Sequence, residues 1–297
     1  MAFFIEVLVG GLLAGVMYSL VALGFVLIYK ASGVFNFAQG TMVFFAALTF
    51  VSLVERGINF WVALVLTLAA MVALGVATER VVLRPLIGQP QITLFMATIG
   101  LSFVLEGLSQ LVWGSQPHGL DLGIPDVPLE WLSRKANLYV SQFDLFAALI
   151  AGVLVIALAV FFQKTRIGRA LRAVADSHKA ALSVGISLEQ IWIVVWFAAG
   201  IVALATGIMW GARSEVSFAL EIIALKALPV LILGGFTSIP GAIVGGLIIG
   251  VGEKLGEFYW GPLLGSGIES WLAYVIALLF LLYRPQGLFG ERIIERI

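Results

Sequence analysis

The 297-residue chain is 61% hydrophobic and only 11% charged, with a mean hydropathy of +1.09, whereas a soluble globular domain carries about 25% charged residues. So much apolar side chain cannot be hidden inside a protein of this length, and the surplus faces lipid. A formal net charge of zero, with 17 basic residues spread along the chain, sets aside a nucleic-acid surface, and the absence of cysteine excludes disulfides, thiolate metal sites and thiol chemistry.

A helix needs roughly 20 apolar residues to cross a bilayer. Runs that meet or approach this length fall at about 6–29, 36–54, 60–79, 91–112, 142–162, 190–212, 222–237, 240–258 and 268–283. They predict an all-α fold, a polytopic transmembrane helix bundle forming a single domain over 1–297. The first stretch, Met1 to Tyr29, lacks a basic leader and is longer than the roughly 7 to 15 apolar residues of a signal-peptide core, so it is expected to be a retained span.

After this span, Gly33, Asn36, Gln39 and Gly40 interrupt apolar sequence between Ser32 and Thr41. Irregular backbone at membrane depth is tolerated only where protein buries it or where it lines a cavity. Asn36 and Gln39 are therefore candidates to line a path; the alternative is an interhelical hydrogen bond worth about 1–2 kcal/mol or less. In the fourth run Ser102 and Glu106 are further candidates. An ionisable group such as Glu106 costs at least about 2.5–3.5 kcal/mol there unless paired or wetted, so it is either a site residue or a glutamate paired across helices or protonated by burial.

The longest outer segment, 113–141, carries Pro117, Pro125 and Pro128, which interrupt helix, and Trp113, Trp131 and Tyr139, which suit an interfacial belt. It is expected to cap an outer mouth. The inner segment 163–189 is polar, basic and patterned as short helices. Thr165 can cap a helix with Ile167, Ala170, Leu171 and Val174 on one face. A second short helix, His178 to Val184, should stop at Gly185, and Ser187 with Gln190 forms a capping box for the next span. Such a helix pair either rests on lipid headgroups or docks a cytoplasmic partner.

Farther on, Pro229, Gly234, Gly235 and Pro240 should break the seventh run. The breaks near Asn36 and Pro229 both follow an inward run and precede an outward one, as matching elements of two half-repeats would. Gly234 and Gly235 join the path candidates. Glu221 and Lys226, five residues apart, read as a structural salt bridge.

Basic residues are retained on the cytoplasmic side. With all nine runs crossing and the C-terminus inside, that side holds Lys30, Arg80, Arg84, Lys164, Arg166, Arg169, Arg172, Lys179, Arg284, Arg292 and Arg296, eleven of the seventeen. The N-terminus is then outside. No G-x-x-x-x-G-K-[ST] loop is present, and the glycines from Gly234 to Gly250 lack its lysine and suit close helix packing instead. His118 and His178 lie in separate loops, so no metal site is expected. Gly114-Ser115 lacks the Gly-x-Ser-x-Gly elbow, and no catalytic residue is expected.

Several stretches together resemble a known family. Gly168, Arg169, Ala170, Arg172, Ala173, Asp176, Ala180, Ala181 and Gly185 resemble the coupling segment of ATP-binding cassette importer permeases. Asn36 to Gly40, Glu79 to Leu86, Thr98 to Ser102, Leu233 to Ala242 and Tyr283 to Gly290 resemble, in order and over almost the whole chain, the branched-chain amino acid permease family, here its smaller permease. The resemblance implies a permease domain in a bacterial inner membrane, moving a small amino acid inward by alternating access. It implies partners: a second related permease or a copy of this one, two cytoplasmic ATPases that hold ATP and Mg, a soluble solute-binding protein, and membrane lipid. No cofactor is expected on this chain. Thr165, Gly168, Arg169, Arg172, Asp176 and Gly185 would then couple it to the ATPases. The family has histidine where this chain has Gln39, and glutamine where it has Glu106; urea, short amides or aromatic acids are alternative cargo. A stand-alone secondary transporter or channel is the rival from another class, but such carriers place several ionisable groups at the midplane.

Overall fold

A computed structural model describes residues 2–86, 89–136, 138–176, 178–265 and 267–290. Arg292 and Arg296 of the predicted inner charge set lie outside it, as do the side chains of Ala2, Lys135, Ala136, Asp176, His178 and Lys179. Among the described residues there is no β-strand beyond isolated bridges at His118 with Val216 and at Pro128 with Ser141. The helices are α1 (Ala2–Ser32), α2 (Gln39–Glu55), α3 (Phe60–Ala77), α4 (Gln91–Trp113), α5 (Glu130–Ala136), α6 (Gln142–Lys164), α7 (Arg166–Asp176), α8 (His178–Ser183), α9 (Leu188–Ser214), α10 (Ala219–Leu225), α11 (Ala227–Gly234), α12 (Ile239–Leu264) and α13 (Leu272–Tyr283). The end of α3 continues through a π turn, Thr78–Leu83, and a 3-10 turn, Arg84–Leu86.

Among the described residues six helices are long and apolar enough to cross a membrane: α1, α3 with its continuation, α4, α6, α9 and α12. The other predicted runs come out differently. α2 has 17 residues and α13 has 12, while the run 222–237 is broken at Lys226 into α10 and α11. Pro229 lies in the first turn of α11, where its missing N–H is harmless but the helix cannot extend backward through it. Most of α2 is buried. Its backbone is shielded by protein, so its length need not match the hydrocarbon thickness.

The chain forms two compact units. The first comprises Met1–Leu23, Leu122–Ile156 and Lys226–Ile297. Within it α1 meets α12 backbone to backbone: a methyl group at Gly11 would stand 2.7 Å from Val251 Cα, and one at Gly15 2.7 Å from the Gly246 carbonyl oxygen. Ser19 fills the same seam, its hydroxyl 2.8 Å from Gly15 O and 3.1 Å from Ile243 O. Lipid tails give no hydrophobic push between helices, so contact at small residues supplies the attraction. This is the use of the glycine-rich stretch that the sequence suggested.

The second unit comprises Gly24–Asp121 and Ala157–Leu225. Its core is α9, which meets α2 where a methyl at Gly207 would lie 2.7 Å from Val43 O, and meets α3 through Gly75 against Trp196 and Gly200 against Met71. By contrast α4 presents Phe103 and Leu111, 68% and 84% exposed, outward.

Candidate functional site

Two places in the second unit gather the residues of interest. The first is the corner between α6 and α7. Thr165 Oγ1 accepts the Gly168 N–H at 3.1 Å, the cap expected of it. Gly168 packs on the Phe162 carbonyl so closely that any Cβ would collide with it. Arg172 folds back to donate to Phe162 O at 2.9 Å and Gln163 O at 3.3 Å, and Arg169 donates to Lys164 O at 3.4 Å.

These arginines therefore satisfy the orphan carbonyls at the end of α6 and complement its negative pole. They hold the corner rather than reach outward. Leu171 and Val174 are buried as the periodicity indicated, with Ala181 of α8 beside them in the buried set. Gly185, at φ +82°, ends the pair. Leu182 and Val184, 54% and 73% exposed, stand at its tip. The Asp176 side chain is outside the described set.

The exit from the corner is also tied down. Ser187 Oγ accepts the Gln190 N–H at 3.4 Å at the start of α9. Glu189, the second residue of that helix, faces Arg80 at 3.8 Å and Arg84 at 3.7 Å, in the continuation of α3.

The second place is a cavity of about 230 Å³ lined by Phe37, Gly40, Thr41, Ile99, Ser102, Phe103, Glu221 and Leu225. The turn before α2, the first turn of α2, the middle of α4 and α10 contribute to it. The Thr41 and Ser102 hydroxyls are hydrogen-bonded at 2.6 Å, and Glu221 lines the same cavity. Glu221 Oε1 is shut off from solvent and has no hydrogen-bond partner among the described residues. Glu106 is half-buried next to this group, its charge acting on Glu221 and its Oε1 3.5 Å from Gln110 Nε2.

Of the path candidates, Ser102 lines the cavity and Glu106 neighbours it. Asn36 does something local: Oδ1 accepts the Ala38 N–H at 3.1 Å and Nδ2 lies 3.7 Å from Met42 Sδ. It closes the turn into α2 as an Asx-type turn. Gln39 is fully buried beneath Gly24, where a methyl would meet its Nε2 at 2.9 Å, and its amide atoms have no partner among the described residues.

Gly234 and Gly235 serve packing in the first unit. Gly234 abuts Gly241, and Gly235, at φ +101°, approaches Gly287 and Gly290. Leu288 N–H donates to Leu233 O at 2.8 Å and Phe289 N–H to Gly234 O at 3.1 Å. Two of the stretches quoted for the resemblance are thus joined to each other.

Glu221 and Lys226 do not form the expected salt bridge among the described ion pairs. Glu221 turns to the cavity, while the charge of Lys226 acts on the buried Glu253 of α12. Thr41 and Glu221 are the polar cavity residues that sequence reasoning missed as such. The available signal was an acid placed directly before a predicted break, and a hydroxyl directly after one. His118 Nδ1 lies 3.0 Å from Glu55 Oε1, which ties its loop to the end of α2.

The profile of the family described as "Branched-chain amino acid transport system / permease component" matches residues 7–283. Relatives similar over nearly the full length include the high-affinity branched-chain amino acid transport system permease protein BraD of Pseudomonas aeruginosa, 27% identical over 99% of this chain and 98% of that one. Another is LivH of Escherichia coli K12, described in the same words, 26% identical with the same coverage.

Proposed function

We propose, from the premise that this chain belongs to the branched-chain amino acid transport permease family, that it is one of two membrane-spanning chains of an ATP-driven importer of small apolar amino acids. The second chain is a related permease. Two cytoplasmic ATPases hold the ATP and Mg, and a soluble binding protein delivers solute from outside. In this reading the chain lies with its N-terminus outside and its C-terminus in the cytoplasm of a bacterial inner membrane.

The observation that carries the reading is the α6–α7 corner. A helix meant only to float on headgroups needs no glycine jammed against the preceding carbonyl, nor arginines bonded back to the end of a span. A helix that must transmit force does, because a loose joint would absorb the movement. Leu182 and Val184 give the tip an apolar knob for the ATPase surface. ATP binding closes the ATPases, the knob follows, and the rigid joint passes the displacement into α6 and α9.

Co-reconstitution tests this. Vesicles holding the permease pair, the ATPases and the binding protein should concentrate solute only with ATP, and deleting 166–185 should abolish uptake. Uphill accumulation by this polypeptide alone, or ATP-driven uptake by the deletion variant, would overturn the proposal.

A further inference from the structure

The glycine seam that presses α1 onto α12 gives way, toward one edge of the membrane, to a groove. Near the start of α1 and the end of α12 lies a cavity of about 720 Å³ within the first unit, walled by Glu6, Val7 and Gly10 on one side and by Lys254, Glu257 and Phe258 on the other, with Tyr139 beside them. A Cβ at Gly10 would meet nothing within 4 Å, so that wall borders open space. At 1.5 Å per residue Glu6 is about 6 Å from the start of α1 and Lys254 about 15 Å from the end of α12. A bilayer with its headgroups is about 40–45 Å thick, so these charges stand at the depth of the headgroups and the first acyl carbons.

The surroundings say what the groove opens onto. Phe3 of α1 and Tyr259, Trp260 and Leu263 of α12 are exposed around it, and Phe3 rests on Phe258 with ring centroids 4.1 Å apart. Aromatic and apolar side chains left exposed at the ends of membrane-spanning helices face the lipid interface.

The polar groups divide into used and unused. Glu257 commits its carboxylate to the loop after α12, accepting the N–H groups of Gly267 and Glu269 at 3.0 Å each. Glu6 Oε2 accepts the Tyr139 N–H at 3.3 Å, while its other oxygen has no hydrogen-bond partner, and its carboxylate no cation, among the described residues. Lys254 Nζ gives one of its three N–H groups to Glu269 at 3.1 Å and keeps two. The groove therefore holds an unanswered anion and a cation with unused donors, ringed by lipid-facing side chains, where a charge is costly unless paired.

We infer that this groove binds a zwitterionic phospholipid whose headgroup carries a primary amine, a phosphoethanolamine. Its ammonium donates to Glu6, its phosphate accepts from Lys254, and its acyl chains run along Val7 and Phe258. A quaternary amine fits less well, because a carboxylate takes N–H bonds that a choline head does not have. An anionic glycerol head supplies a phosphate for Lys254 but nothing positive for Glu6. Free leucine carries the same pair of charges, yet it has no chains to lie on the exposed apolar flanks. The volume falls in the 300–1,000 Å³ range usual for small-molecule sites. The inference depends neither on the importer reading nor on which solute is carried.

The test is native mass spectrometry of the purified membrane assembly containing this chain, in detergent micelles, titrated with dioleoylphosphatidylethanolamine and, separately, with phosphatidylcholine and phosphatidylglycerol bearing the same chains. The first ethanolamine lipid should bind at least roughly threefold more tightly than the first of either other lipid. Gly10→Leu puts its side chain into open space and fills the groove, and should weaken that lipid roughly tenfold or more. Glu6→Gln keeps an acceptor for the Tyr139 N–H but loses the charge, and should weaken it at least roughly threefold. If Glu6→Gln does not assemble, Gly10→Leu decides alone.

Equal binding of the three lipids, or undiminished ethanolamine lipid on either variant, overturns the site. So does displacement of the bound lipid by leucine or by the soluble binding protein, which would give the groove to that occupant instead.

Discussion

The joint between α6 and α7 lends itself to a demanding test, Gly168→Ala. The added methyl would collide with the Phe162 carbonyl oxygen, and both partners are backbone, so no side-chain rotation relieves it. Non-bonded carbon atoms settle at about 3.5–4.0 Å, so α7 must move by something on the order of an ångström or unwind its first turn. Overpacking of this kind costs typically about 1–3 kcal/mol. That is a roughly five- to 150-fold shift against the native corner. Arg172 would lose its bonds to Phe162 O and Gln163 O in the same movement. The assay is solute taken up per ATP hydrolysed in vesicles carrying the complete assembly. Hydrolysis should persist while uptake per ATP falls roughly fivefold or more. An unchanged ratio in a properly assembled Gly168→Ala complex would refute the idea that this joint carries force.

Other variants separate the remaining claims. Glu106→Gln removes a charge beside the cavity without lining it, so solute affinity should fall only roughly threefold, under about 1 kcal/mol, with assembly unaffected; a roughly tenfold or larger loss in equilibrium solute binding to the assembled complex would contradict this. Gly246→Val forces side-chain volume onto Ser19 and the Gly15 carbonyl, and should lower stability by about 1–3 kcal/mol, read as a lower unfolding midpoint in detergent; an unchanged midpoint would mean α1 and α12 do not need that approach. Glu189→Gln should do little, since its side chain is 40% exposed and pairs with Arg80 and Arg84 at 3.7–3.8 Å, a geometry worth about 0.2–1 kcal/mol; thermal unfolding measures this too.

What could be read in advance follows from where each signal resides. Long apolar runs and capping patterns are local, so α1, α4, α6, α9 and the α7–α8 pair were legible, down to Thr165 and Ser187 as caps. Whether a run crosses the membrane is not local. α2 looks like a span in sequence but has 17 residues, and its burial shows that protein surrounds most of it. The local contacts of Asn36, Gly234 and Gly235 were out of reach for a related reason. A polar or flexible residue at a break suits a lining residue and a turn-maker equally, and the choice depends on which atoms lie within bonding distance. Glu221 was assigned to Lys226 by proximity in sequence, yet the helix break at Lys226 sends the two side chains to different surroundings.

The corner and the cavity belong to the same compact unit, and the helix that links them can be named. α9 begins directly after the α7–α8 pair, and at Gly207 its backbone is pressed against Val43 of α2. Thr41, whose hydroxyl is hydrogen-bonded to Ser102 in the cavity lining, lies two residues before Val43. A rigid helix of 27 residues spans about 40 Å at 1.5 Å per residue, so a shift at its start is delivered to α2 without needing any chain of soft side chains. Gly207→Ala tests this link, since a methyl there would sit 2.7 Å from Val43 O and 3.0 Å from Ala47 Cβ. Separating α9 from α2 should disturb Thr41 against Ser102 and Glu221 while leaving the corner intact. Leucine binding by the complex should therefore weaken at least roughly threefold and uptake per ATP should fall as well. A variant that loses stability but keeps both solute affinity and coupling would show that α9 and α2 only support each other, and that movement reaches the cavity by another route.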